Sequence, residues 1–211
     1  MAAALATSAL AAPIPATGTV EVAFTPWDDA EGLILRTLRE AKRSVLVQAY
    51  VLTSRNIAAA LQEAKGRGVD VHVMADQDQH ERSDNSLLPQ LVGAGIPVRL
   101  ETRYSAAHNK VMVLDADTEH PTVITGSYNY SWSAQARNAE NLLVLKDNHQ
   151  LAAAYKANWL RHWQEAEPLR ESAPAAATSG HKTSRKAGGG ASVCAYLSAE
   201  ERRLMGKDCR R

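Results

Sequence analysis

The 211-residue chain has one phenylalanine and only two cysteines, Cys194 and Cys209, both close to the C-terminus. Their separation does not match metal-ligand spacing, which argues against a zinc-organised fold. Two readings of the pair stay open: one disulfide in an exported chain, or two unpaired thiols on a tail. An excess of one charge sign is also lacking, since 24 Lys and Arg face 23 Asp and Glu and the formal net charge is +1. The molecule as a whole therefore advertises no polyanion partner, and any affinity for nucleic acid must be local. No apolar run approaches the length of a transmembrane helix, so stable membrane insertion is not expected. A chain of this length can still bury a sizeable core without disulfide or metal staples.

Residues 1–19 are rich in Ala, with small residues suited to signal-peptidase cleavage around Ala12 to Ala16, but they lack a basic n-region. They read as a leader or possible signal peptide, which implies a periplasmic or secreted protein. The alternative is an Ala-rich leader on a cytoplasmic one.

Residues 20–168 carry the pattern of one α/β domain. VEVAF at Val20 to Phe24 predicts a strand. Leu33, Ile34, Leu38 and Ala41 at helical spacing predict a helix from Ala30 to Lys42. A strand is expected at Val45 to Leu52, a helix at Asn56 to Lys65 stopped by Gly66 and Gly68, and an alternating strand at Val69 to Asp76. A polar loop is expected from Gln77 to Asp84, then a helix at Leu87 to Ala94 and a strand at Ile96 to Leu100. This β-α-β-α-β rhythm implies a largely buried sheet flanked by helices.

HNKVMVL at His108 to Leu114 reads as a strand in which period-2 geometry points His108, Lys110 and Met112 to one face. After the polar turn ADTEHP, Thr122 to Thr125 should pair with it as a hairpin ending at Gly126-Ser127. A strand at Asn141 to Leu145 follows. A helix should then run to about Glu165, with Asp147 as N-cap and Leu151, Tyr155, Trp159 and Trp163 as its core stripe. Residues 169–191 have the Ala, Ser and Gly composition of a flexible linker, and residues 192–211 read as a short basic helical tail.

The densest chemistry is His108-x-Lys110, then Asp115 five residues beyond the lysine, then Gly126-Ser127-Tyr128-Asn129. A phosphodiester under attack accumulates negative charge on its non-bridging oxygens. Lys110, Ser127 and Asn129 offer it a cation, a hydroxyl and an amide without requiring a metal. A neutral, oriented imidazole such as His108 can attack phosphorus. Asp115 lies seven residues after His108 at the end of its strand, a position better suited to bracing a loop than to touching substrate. His72, His80, His120, His149, His162 and His181 lack ligand spacing and read as structural or solvated.

HxKxxxxD followed by GSxN resembles the signature of the phospholipase D superfamily, and the resemblance covers about Val20 to Arg170. With a single copy of the motif, the chain looks most like the Nuc-type bacterial endonuclease branch. The phospholipases carry two copies. Ten residues separate Asp115 from Gly126, a longer spacer than the family pattern usually has, and the surplus falls in the polar turn where insertion is cheap.

The resemblance implies an α-β-α sandwich with a mixed central sheet. It also implies metal-independent phosphodiester cleavage through a phosphohistidine at His108, with no cofactor. Lys110 and Asp115 would complete the catalytic motif, and Glu140 would accept a hydrogen bond from the other ring nitrogen of His108. Because one histidine cannot be nucleophile and acid at once, a two-fold homodimer is expected to bring two copies of His108 to one phosphorus. The substrate expected is DNA and/or RNA, with Arg55, Arg82, Arg99, Arg103 and Arg137 as candidate phosphate contacts. A phospholipase acting on head groups and a non-catalytic nucleic-acid-binding module are the alternatives.

Overall fold

A computed structural model describes residues 11–170. The first half of the leader, most of the linker, the basic tail and both cysteines lie outside the described residues.

The alternating pattern near the start forms β1 (Thr19–Thr25), and the helical period that follows forms α1 (Ala30–Glu40). Asp29 closes the first turn of α1 by accepting the Gly32 N–H at 2.8 Å. Next come β2 (Ser44–Ala49), α2 (Arg55–Gly66) and β3 (Asp70–Asp76). Ser54 caps α2 by accepting the Ile57 N–H at 3.2 Å.

The segment expected as a polar loop instead opens with a helix, α3 (Gln77–Arg82). Asp76 caps it at the Gln79 N–H, and the pairs Gln77 to Glu81 and Arg82 to Asp78 run along its surface. None of its residues is buried, so no apolar period marks it in the sequence.

α4 (Leu88–Gly93) and β4 (Val98–Glu101) complete the first half of the domain. The expected hairpin is β5 (Lys110–Leu114) against β6 (Thr122–Gly126), in antiparallel register with Val113 opposite Val123. The strand starts at Lys110 rather than His108. Ala107 N–H is taken by the Asp76 side chain at 2.7 Å instead of by a neighbouring strand, which leaves His108 on the loop entering β5.

A short helix that periodicity did not reveal, α5 (Trp132–Ala136), precedes β7 (Glu140–Lys146). α6 (His149–Glu165) is capped by Asn148, whose side chain accepts the Leu151 N–H at 3.0 Å. Asp147, expected in that role, instead turns the chain with φ 60°. A two-residue strand, β8 (Glu167–Pro168), then pairs with β4, and Leu169 N–H donates to Val98 O.

The eight strands form one sheet in the order β1-β7-β6-β5-β2-β3-β4-β8. β2, β3 and β4 are mutually parallel and the remaining pairs antiparallel, so the sheet is mixed as expected. Alternation divides its side chains between two layers. Val45, Val47, Met112 and Leu114 pack with Ile34, Leu38, Ile57, Leu61 and Leu91 of α1, α2 and α4. Leu46, Met74, Val111, Val113 and Val123 pack with Ala152 and Trp159 of α6. The aromatic stripe of α6 faces this layer: Trp159 is 2 % exposed and donates its indole N–H to Val47 O at 3.0 Å, while Leu151, Tyr155 and Trp163 pack against it half-buried, Trp163 stacking on Trp159. The result is an α-β-α sandwich.

Candidate active site

The carboxyl ends of the parallel strands β2 and β3 meet the amino end of β5, where Ala49 pairs with Lys110. In open α/β sheets this edge is where ligands are held, because the strands end and the loops open together. Lys110, the first residue of β5, is only 5 % exposed. Its ammonium lies 2.7 Å from Nδ1 and 3.1 Å from Nε2 of His108 and donates to the His108 carbonyl at 2.9 Å. A neutral imidazole has one lone pair, so one of the two ring nitrogens accepts from it. The Tyr50 ring, at the end of β2, lies 4.3 Å from the His108 ring, and the ammonium sits 4.8 Å from the Tyr50 centroid.

This setting fixes the protonation states. Desolvation, followed by the Lys110 charge, lowers the His108 pKa below its ordinary 6.5, against smaller opposing effects of Asp76 and Glu140. Burial brings Lys110 down to about 8, with Glu140 opposing. Near neutral pH the histidine is therefore mostly an uncharged base while the lysine keeps its proton.

The Gly126 to Asn129 motif forms a loop strung between two strands. Ser127 N–H and Tyr128 N–H donate to Asn141 O, and at the other end Tyr130 N–H donates to Val51 O. Ser127 Oγ accepts the Asn141 N–H at 3.0 Å, which leaves its own proton to donate. Asn129 Oδ1 is buried without a hydrogen-bond partner, as are the hydroxyls of Tyr128 and Tyr130, whose pKa values burial raises. Gly126 cannot be replaced cheaply: its φ is 145°, and a Cβ would lie 2.3 Å from Asn141 O.

Glu140, at the start of β7, accepts from Asn138 Nδ2 at 2.9 Å. Its charge is felt at His108 and Lys110, but both nitrogens of the His108 ring face the lysine rather than this carboxylate. Asp115 lies at the opposite end of β5. Its carboxylate accepts the N–H groups of Lys42, Arg43 and Ser44 at 2.9, 2.7 and 2.9 Å, so it braces the turn between α1 and β2.

Each candidate arginine has a neighbour within the fold. Arg99 donates to Trp163 O at 2.6 Å, Arg103 is 3.8 Å from Glu165, and Arg82 pairs with Asp78. Arg137 lies over the Trp132 ring, and Arg55 lines a groove with Trp132 and Asp84. Among the other histidines, His162 Nδ1 donates to the buried Glu101 carboxylate at 2.6 Å, and His72 contacts Asp70. Among the described residues no three His, Cys, Asp or Glu side chains gather to hold a metal ion, and no helix is long and apolar enough to cross a membrane.

Sequence reasoning missed Tyr50 and Asp76. The available signal was positional, since each lies at or just past the carboxyl end of a parallel strand.

A neutral histidine held against a buried lysine at the open edge of this sandwich defines a phospholipase D-like domain. Comparison with known proteins agrees. Residues 34–163 match the family model described as cardiolipin synthase, PLD-like domain. The chain is 36 % identical over 140 residues to a phospholipase D of Rickettsia typhi, covering 66 % of each protein. It is 32 % identical over 141 residues to the mitochondrial cardiolipin hydrolase of Xenopus tropicalis, covering 67 % of this chain and 64 % of that one. The chain thus spans slightly less than two thirds of these relatives' length. The crystal structure of Nuc, a phospholipase D family member from Salmonella typhimurium, superposes with a TM-score of 0.68 at 31 % identity, covering 72 % of this chain and 98 % of that one. The chain belongs to the phospholipase D-like family.

Proposed function

We propose that this protein is a metal-independent phosphodiesterase, an endonuclease of low sequence specificity that cleaves DNA and/or RNA through a phosphohistidine in a site shared by two copies of the chain. The contact between Lys110 and His108 carries this reading. Together with desolvation of the ring, it keeps the imidazole in its nucleophilic, neutral form, and it holds a cation where the phosphate must arrive. When a phosphodiester enters, the ammonium moves onto a non-bridging oxygen, and the ring lone pair it occupied is released toward phosphorus.

The nitrogen then forms a bond to phosphorus as the bond to the leaving oxygen breaks, and that oxygen takes a proton from His108 of the second copy. The second imidazole next removes a proton from water, whose oxygen displaces the first histidine and leaves a phosphomonoester. Lys110, the Ser127 hydroxyl and the Asn129 amide stabilise the charge on the non-bridging oxygens throughout. Likeness to Nuc, which the chain matches along almost that whole protein, favours a nuclease.

A second reading, hydrolysis of a phospholipid head group, is supported by the relatives named phospholipase D and cardiolipin hydrolase. The discriminating experiment incubates the full chain with plasmid DNA, RNA, and phosphatidylcholine or cardiolipin vesicles in excess chelator, beside His108→Ala. Nicking of nucleic acid that survives chelator and vanishes in the variant is expected. Turnover confined to the vesicles favours the second reading, and chelator-sensitive turnover overturns the chemistry. An active species that light scattering shows to be strictly monomeric overturns the shared site.

A further inference from the structure

Asp76 ends β3, is 2 % exposed, and uses both carboxylate oxygens. Oδ2 accepts the N–H of Ala107, the residue before His108, at 2.7 Å. Oδ1 accepts the Gln79 N–H at 2.9 Å and so opens α3. Gln79 in turn donates its side-chain amide to the Tyr50 hydroxyl at 2.9 Å, and the Tyr50 ring lies against His108.

Two arms therefore leave one buried carboxylate and reach the same histidine, one through the backbone and one through a side chain. α3 buries none of its own residues, so it gains little from packing and depends on this cap. A carboxylate buried to this degree, with both oxygens bonded to N–H groups, is a costly choice unless its placement is used.

We propose that Asp76 is a positioning residue that holds the His108 loop and the Tyr50 ring in register, a role that rests on the phosphodiesterase reading above. The titratable groups facing His108 are Tyr50 from the end of β2, Asp76 from β3, Lys110 from β5 and Glu140 from β7. Desolvation, then Lys110, lowers its proton affinity, whereas Asp76 and Glu140 raise it. Removing the Asp76 charge moves the balance toward Lys110.

The test uses the full chain with Asp76→Asn, which keeps a capping side chain of the same size, and Gln79→Ala, which leaves Asp76 intact and cuts only the Tyr50 arm. His108 is titrated by NMR in each protein, its resonance assigned by its loss in His108→Ala, and kcat and KM are measured on the substrate cleaved by the parent. In Asp76→Asn the His108 pKa should fall, the acid limb of the kcat profile should move to lower pH, and kcat should drop about 10- to 100-fold with KM within about threefold. Gln79→Ala should lose about 3- to 10-fold in kcat. An unchanged His108 titration in Asp76→Asn overturns the proposal, and so does a parental kcat in Gln79→Ala. Should Asp76→Asn fail to fold, Gln79→Ala decides alone. If the parent cleaves no phosphodiester, the functional reading fails while the NMR titration still reports on the placement.

Discussion

Lys110→Met separates what the site needs from what the fold prefers. Burial lowers the ammonium from its ordinary 10.5 to about 8, so the folded protein binds this proton less tightly than the unfolded chain does. At 1.36 kcal/mol per tenfold change in affinity, this costs about 3 kcal/mol of stability at pH 7. The sign follows from linkage. The cost is fully present below about pH 8 and disappears as pH rises from 8 to 10.5, where the unfolded chain also loses the proton. Met fills similar space with no charge, but it forfeits the ammonium's hydrogen bonds to the His108 carbonyl at 2.9 Å and to the His108 ring, together worth about 1–2 kcal/mol. The variant should therefore be more stable than the parent by about 1–2 kcal/mol at pH 7, with a melting temperature higher by roughly 2–8 °C. That advantage should close by pH 10.5. Turnover should fall by about 10²- to 10³-fold, as on loss of a group that stabilises transition-state charge. Thermal melts from pH 6 to 10.5, run beside initial rates, check both halves. A variant less stable than the parent at every pH, or one that keeps its activity, refutes the reasoning.

Three further outcomes follow from the same geometry. In the proposed shared site two copies of His108 share one proton, so activity should be bell-shaped in pH, and its acid limb should fall below 6.5, since burial and Lys110 oppose charging the ring; initial rates from pH 4 to 10 measure it. Asp115→Ala strips three backbone N–H groups of their acceptor and should cost about 2–4 kcal/mol by urea unfolding, while the activity of the fraction that remains folded changes less than tenfold. Gly126→Ala forces a Cβ against Asn141 O at a φ of 145°, and should both destabilise the protein by more than about 2 kcal/mol and reduce kcat by displacing Ser127 and Asn129.

Much of this architecture was legible because its signals are periodic. The alternation in β5 and β6 and the helical spacing in α1, α2 and α6 each report a buried face, and the paired strands follow from the polar turn between them. His108 and Lys110 were legible as neighbours for the same reason: a spacing of two brings side chains to one side, even though the strand begins only at the second of them.

What escaped the sequence depends on contacts between distant segments. α3 has no apolar period, and its cap, Asp76, serves a loop 31 residues away. Tyr50 is one aromatic among six tyrosines until β2 and β5 are paired. Glu140 shows the opposite limit. Its place near His108 could be expected from the motif, but its hydrogen bond to Asn138, two residues away, is a local choice that no pattern announces. The direction of the arginines was not legible either, because charge alone does not say which partner a guanidinium takes, and Arg99 donates to the end of α6.

The central claim is that His108 itself becomes bonded to phosphorus. Rapid quenching of the full chain with a phosphodiester substrate at neutral pH, followed by peptide mass spectrometry under non-acidic conditions, reads it directly. An acid-labile phosphoryl adduct on His108 is expected, at about one per two chains if, as proposed, each pair of histidines attacks one phosphorus. An adduct on any other residue, or undiminished turnover by His108→Ala, contradicts it.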